Sequence, residues 1–85
     1  MMKYTYMRTD DQTGVVCGGD PENYLKAYFK GLYFDLDDGE EIQIKALREK
    51  FPMGEAAIKT LAENAGLKMY KYKDNGDIIY IYLKK

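Results

Sequence analysis

The chain has 85 residues, of which 46% are apolar, 14% aromatic and 32% charged, and its formal net charge is −1. A chain this size buries only about 60–65% of its unfolded surface, so it forms one domain around one small core. It contains no His, Ser or Trp and a single cysteine, which excludes imidazole metal sites, Ser-His nucleophilic catalysis and an intramolecular disulfide.

Any general acid or base would have to be a carboxylate, Lys, Tyr or Cys17, and no catalytic function is expected from that inventory. The opening "MMKYTYMRTDDQ" lacks the apolar run of a signal peptide, and no segment is apolar enough to span a bilayer. With the lone Cys17, this predicts a cytoplasmic protein with no membrane association. Charge is uneven. Residues 1–38 carry four basic and seven acidic side chains, whereas residues 39–85 carry nine basic and seven acidic ones. The C-terminal half is the electropositive one.

In chain order, "KYTYMR" (residues 3–8) alternates, with Tyr4 and Tyr6 on one face, and predicts a strand. "TDDQTG" reads as a turn and "VVC" as a second short strand. Asp20 is a suitable N-cap and Pro21 suits the first helical position, so a helix starts there. Tyr24, Leu25, Tyr28, Phe29, Leu32 and Tyr33 give it one broad apolar stripe. "DLDDGEE" ends it as an acidic loop.

"IQIKALREKF" reads as a short strand at Ile42 that turns helical by about Ile44, with Leu47 and Phe51 anchoring the helix. "FPMG" breaks it, because Pro52 disfavours a helical Phe51. "EAAIKTLAENAGL" is the clearest helix. Ala57, Ile58, Leu61, Ala62 and Ala65 form its buried stripe, and Gly66 with Leu67 has the pattern of a Schellman ending.

The last segment, "YKYKDNGDIIYIYLKK", is a hairpin turning at Asp74-Asn75-Gly76. A two-residue Asn-Gly loop pairs Lys73 with Ile78 and mixes side-chain types on both faces. A three-residue loop with a bulge pairs Lys73 with Asp77, Tyr72 with Ile78 and Tyr70 with Tyr80. The second register is preferred because it segregates the side chains. It puts Leu67, Met69, Ile79, Ile81 and Leu83 on one face, and Tyr70, Tyr72, Ile78, Tyr80 and Tyr82 on the other. The tyrosine face is either covered or extended by the N-terminal strand, with Tyr4 and Tyr6, or presented to a partner.

From about residue 20, "IQIKALREKFPMGEAAIKTLAENAGL" followed by the hairpin resembles the winged helix-turn-helix superfamily. The expectation is an α+β, winged-helix-like single domain spanning residues 1–85. It has three helices, a C-terminal β-hairpin wing, and residues 1–19 as an added N-terminal strand or hairpin. In such a fold the second motif helix enters the DNA groove and the wing touches phosphate. The matching helix positions are Glu55, Ala56, Lys59, Thr60, Glu63 and Asn64, where only Lys59 is cationic.

The candidate nucleic-acid residues are therefore Lys59, Thr60, Lys68, Lys71, Lys73 and Arg48, with Lys45, Lys50, Lys84 and Lys85 as further backbone contacts. The candidate partner-binding residues are Tyr70, Tyr72, Tyr80 and Tyr82. The expected function is a small non-catalytic DNA-binding or regulatory accessory protein. The alternative is a protein-interaction module, an inhibitor or adaptor, that uses the tyrosine face or the acidic helix face. Partners are then DNA or a protein, including a second copy of the chain as a homodimer.

No cofactor or metal is expected. Counted as an EF-hand from Asp35, the acidic loop places Gly39 and Ala46 where that loop needs other residues. Cys17 reads as a small buried hydrophobe, and Gly18-Gly19 as a hinge, because Asp20 occupies the helix start.

Overall fold

A computed structural model describes residues 8–14 and 20–85. In chain order it contains β1 (Arg8–Asp11), α1 (Pro21–Asp35), β2 (Glu41–Leu47), a 3₁₀ turn (Arg48–Lys50), α2 (Glu55–Asn64), β3 (Lys68–Asp74) and β4 (Ile78–Lys84). The strands form one four-stranded sheet in the order β1-β2-β4-β3. β1 runs parallel to β2, and the other neighbours are antiparallel. Both helices contribute to a single apolar cluster with β2, β3 and β4, so they form one layer on one face of the sheet.

The local signals explain most of these elements. Asp20 caps α1 by accepting the Glu22 N–H at 3.0 Å, with Pro21 at the first helical position. Leu25, Phe29 and Leu32 on the expected stripe are buried, and Tyr24, Tyr28 and Tyr33 pack against the core from its margins. On α2, Ile58, Leu61 and Ala62 are buried, whereas Ala57 is exposed and Ala65 sits at the margin.

α2 ends in a Schellman motif. Leu67 N–H donates to the Ala62 carbonyl at 2.9 Å, and Gly66 N–H donates to Glu63 at 3.0 Å. Gly66 has a φ of +93°, and a Cβ there would lie 2.7 Å from the Tyr33 ring. The glycine thus serves two needs, a left-handed cap and the close approach of α1.

Beyond Ala57, three expectations about the motif region and the hairpin are overturned. First, the winged-helix architecture fails, because there are two α-helices and a four-stranded mixed sheet. The segment expected to turn helical at Ile44 is strand β2. Its burial alternates strictly, with Ile42, Ile44 and Ala46 inside and Gln43 and Lys45 half-exposed. Period-two burial outweighs the helix propensity of "KALREK", of which only a 3₁₀ turn remains.

Second, the C-terminal hairpin is no wing. β4 lies between β2 and β3 and is buried on alternate residues at Ile79, Ile81 and Leu83. Third, the hairpin register differs from the preferred one. Lys73 pairs with Tyr80 and Asp74 with Ile79, and the loop turns at Gly76, where φ is +87°. The register shifts between Met69 and Lys71, which leaves Tyr70 as the extra residue of a bulge. The bulge turns Tyr72 inward, so it packs against the core and does not share a face with Tyr80 and Tyr82.

β1 begins at Arg8, the end of the expected strand, and runs on through Thr9, Asp10 and Asp11, which were expected to be a turn. It pairs with β2 at the sheet edge farthest from β3. Residues 3–7 of the expected strand over 3–8, the expected strand at 15–17, the readings of Tyr4, Tyr6 and Cys17, and the Gly18-Gly19 hinge lie outside the described residues. Among the described residues, no helix is long and apolar enough to cross a membrane.

Candidate binding face of the sheet

Alternation along β2 and β4 sends Ile42, Ile44, Ala46, Ile79, Ile81 and Leu83 to the helices, so their neighbours point to the other side. No described helix or strand lies over that second face. The strand pairing arranges it in rows. Asp11, Lys45, Tyr80 and Lys73 follow one another across the four strands. Thr9, Gln43, Tyr82 and Lys71 form the next row, with Tyr70 beside Tyr82 because of the bulge. Glu41, Lys84 and Lys68 form a third, and Leu47 with Ile78 an apolar end.

The face therefore carries five ammonium groups (Lys45, Lys68, Lys71, Lys73, Lys84) against two carboxylates (Asp11, Glu41), a balance of +3 on a chain of net −1. Three tyrosines stand among the lysines, and Tyr80 is flanked by Lys45 on one side and Lys73 on the other.

The rings of Tyr70 and Tyr82 are held in place. Gln43 Nε2 donates to the Tyr82 hydroxyl at 2.7 Å, and the Lys71 ammonium lies 5.2 Å from the Tyr82 ring centroid, a cation–π distance. The Tyr70 hydroxyl donates to Glu41 Oε1 at 2.6 Å, and its ring lies 6.1 Å from that of Tyr82. Partial burial, followed by that hydrogen bond to Glu41, pushes the Tyr70 phenol up to about 12.

On the helix side of β1 a separate polar cluster joins the sheet edge to α1. The Tyr28 hydroxyl donates to Asp10 Oδ2, to which Gln12 Nε2 also donates at 2.9 Å. Burial, then the bond to Asp10, raises the Tyr28 phenol strongly. Arg8 in the same strand bonds Asp35 at 2.8 Å, at the end of α1. These groups tie β1 down and face away from the open side.

The two raised phenols make an alkaline prediction. An unfolded tyrosine ionises near 10, whereas Tyr70 and Tyr28 in the folded chain resist ionisation. Below pH 10 both states keep their protons, so the contribution to stability is complete there. Above it the unfolded state sheds protons first, and stability is lost as pH rises through about 12. Denaturant midpoints measured from pH 8 upward should fall beyond about pH 10. Tyr28→Phe should fall less steeply than the parent, and equal slopes would overturn this assignment.

The sequence-based nucleic-acid candidates do not form one site. Lys68, Lys71 and Lys73 belong to the open sheet face. Lys59 and Thr60 are exposed on α2 in the helix layer, where the Thr60 hydroxyl donates back to the Ala56 carbonyl at 3.0 Å. Arg48 lies beside Asp74 at 3.5 Å, and its N–H donates to the Asp77 carbonyl at 2.9 Å. Of the tyrosine candidates, Tyr70, Tyr80 and Tyr82 come together, whereas Tyr72 packs toward the helices. Glu41, Gln43, Thr9 and Asp11 were not legible as members of this face. The alternation of Ile42, Ile44 and Ala46 was the signal that β2 presents its odd-numbered residues there.

Among the described residues, no group of three thiol or carboxylate side chains is placed to hold a metal ion. No family model and no curated protein matches this chain.

Proposed function

We propose that the chain is a small non-catalytic binding module whose open sheet face holds single-stranded nucleic acid. The observation that carries this reading is the interleaving of five lysines and three tyrosines on the sheet face away from the helix layer. Single strands are gripped by combining backbone-tracking cations with aromatic rings on which bases stack. An open sheet face offers both at once. Duplex recognition suits this molecule less well, because α2 would bring Glu55 and Glu63 toward the phosphates with Lys59 as its only cation.

Lysines on β3 have a second use, since charges and a bulge on an edge strand discourage pairing with other chains. Lys45 on β2 and Lys84 on β4 are on inner strands, so edge protection does not account for them. The rest of the chain is acidic, which orients this face toward a polyanion from a distance.

Fluorescence anisotropy with short labelled single-stranded oligonucleotides and a duplex of the same sequence tests the reading. Each phosphate neutralised on a single strand contributes a log-log salt slope of about 0.7, so five engaged lysines give a slope of about 3.5. Lys71→Gln combined with Lys73→Gln should remove about 1.4 of it. Absence of binding at low salt, or a slope unaltered in the double variant, would overturn the reading. Binding of polyglutamate in place of oligonucleotides would assign the face to an acidic protein.

A further inference from the structure

We propose that the helix layer is a self-association surface on which two copies of the chain pack across α1. Phe34 of each copy seats in the groove between α1 and α2 of the other, and the acidic segment after Phe34 meets Lys26 and Lys30. This is independent of what the opposite sheet face binds.

Phe34 is 76% exposed, the most exposed large hydrophobic side chain among the described residues. Its neighbour Tyr33 is fixed by contrast, with the Lys85 ammonium 4.4 Å from its ring and Gly66 behind it. Phe34 meets Tyr33 edge-on, at 5.6 Å between centroids. Phe34 forms one wall of a groove between the helices that is also lined by Tyr33, Leu61, Asn64 and Ala65 and rimmed on the α1 side by Lys26 and Lys30.

Charge selects the occupant. The groove offers an apolar floor beside two cations, so its complement is an aromatic side chain followed by carboxylates. This chain carries that complement next to the groove itself, as Phe34 followed, past the Arg8-paired Asp35, by Asp37 and Asp38. A two-fold pairing requires a surface to complement itself, and this one does.

The spacing also fits. When two α1 helices cross antiparallel between Gly31 and Phe34, Phe34 of one comes level with Gly31 of the other. Space around Gly31 is open, since a Cβ there would have no neighbour within 4 Å. Asp35, at the last turn of α1, is paired with Arg8. The chain leaves the helix at Leu36, so Asp37 and Asp38 lie on the loop just beyond the helix end and are the carboxylates placed to meet Lys30 and Lys26. The contact is confined to one helix layer, so the dimer is of the weak, reversible class. It leaves both lysine–tyrosine sheet faces pointing outward, and two linked sites would bind a long strand more tightly than one.

Sedimentation equilibrium of the full chain from micromolar to millimolar concentration tests the proposal. The mass should rise from one chain toward two, and Phe34→Glu should remain monomeric throughout with an unchanged thermal midpoint. Lys26→Asp with Lys30→Asp should abolish self-association, as should Asp37→Lys with Asp38→Lys. An equimolar mixture of those two double variants should dimerise again, because each restores the other's missing charge. A wild-type chain that stays monomeric, a dimer that survives Phe34→Glu, or charge variants that fail to pair would each overturn the proposal.

Discussion

Phe29→Ala should leave little folded protein at 37 °C. Phe29 is fully buried in α1, within the cluster that joins both helices to β2, β3 and β4. Truncating a buried Phe costs about 3–5 kcal/mol through lost transfer energy and the cavity that remains. A domain of this length has about 4–13 kcal/mol in total, so the loss is about a quarter or more of what holds it together. The same substitution five residues on, Phe34→Ala, should change stability by less than about 0.5 kcal/mol, because that ring lies in solvent. Denaturant melts at low protein concentration compare the two directly. Similar losses at both positions would contradict the packing of α1.

The second large effect concerns binding. Tyr80→Ala combined with Tyr82→Ala should lower affinity for single strands by about thirty-fold or more, since base–aromatic stacking contributes about 1–3 kcal/mol per ring. The fold should survive, because both side chains point away from the helices and lose mainly cross-strand contacts of about 0.2–1 kcal/mol each. Tyr80→Phe with Tyr82→Phe keeps the π-faces and should retain most of the affinity. Loss of binding in the Phe pair equal to that in the Ala pair would mean that the hydroxyls, and not the rings, are recognised. Undiminished binding in the Ala pair would remove the tyrosines from the site altogether.

Elements specified by neighbouring residues were legible from the chain alone. Asp20-Pro21, the stripe from Tyr24 to Tyr33, and the Gly66-Leu67 ending act through contacts one to five residues apart, and each took its expected form. The apolar side of β4 was equally clear, because Ile79, Ile81 and Leu83 alternate with Tyr80 and Tyr82 whatever their partners are.

What remained undetermined locally was decided by pairing across the sheet. "IQIKALREK" has strand alternation at its start and helix-forming residues at its end. Between β1 and β4, its backbone groups form ladder hydrogen bonds and Ile42, Ile44 and Ala46 enter the core, which a helix at that position could not match. The turn chemistry of Asp74-Asn75-Gly76-Asp77 allows several hairpin registers. The one adopted keeps Met69 opposite Leu83 and Lys73 opposite Tyr80, and the bulge at Tyr70 absorbs the odd residue between them. The candidate site follows from those long-range choices. Lys45, Tyr80 and Lys73 are separated by up to 35 positions in the chain, and only the order β2-β4-β3 makes them neighbours.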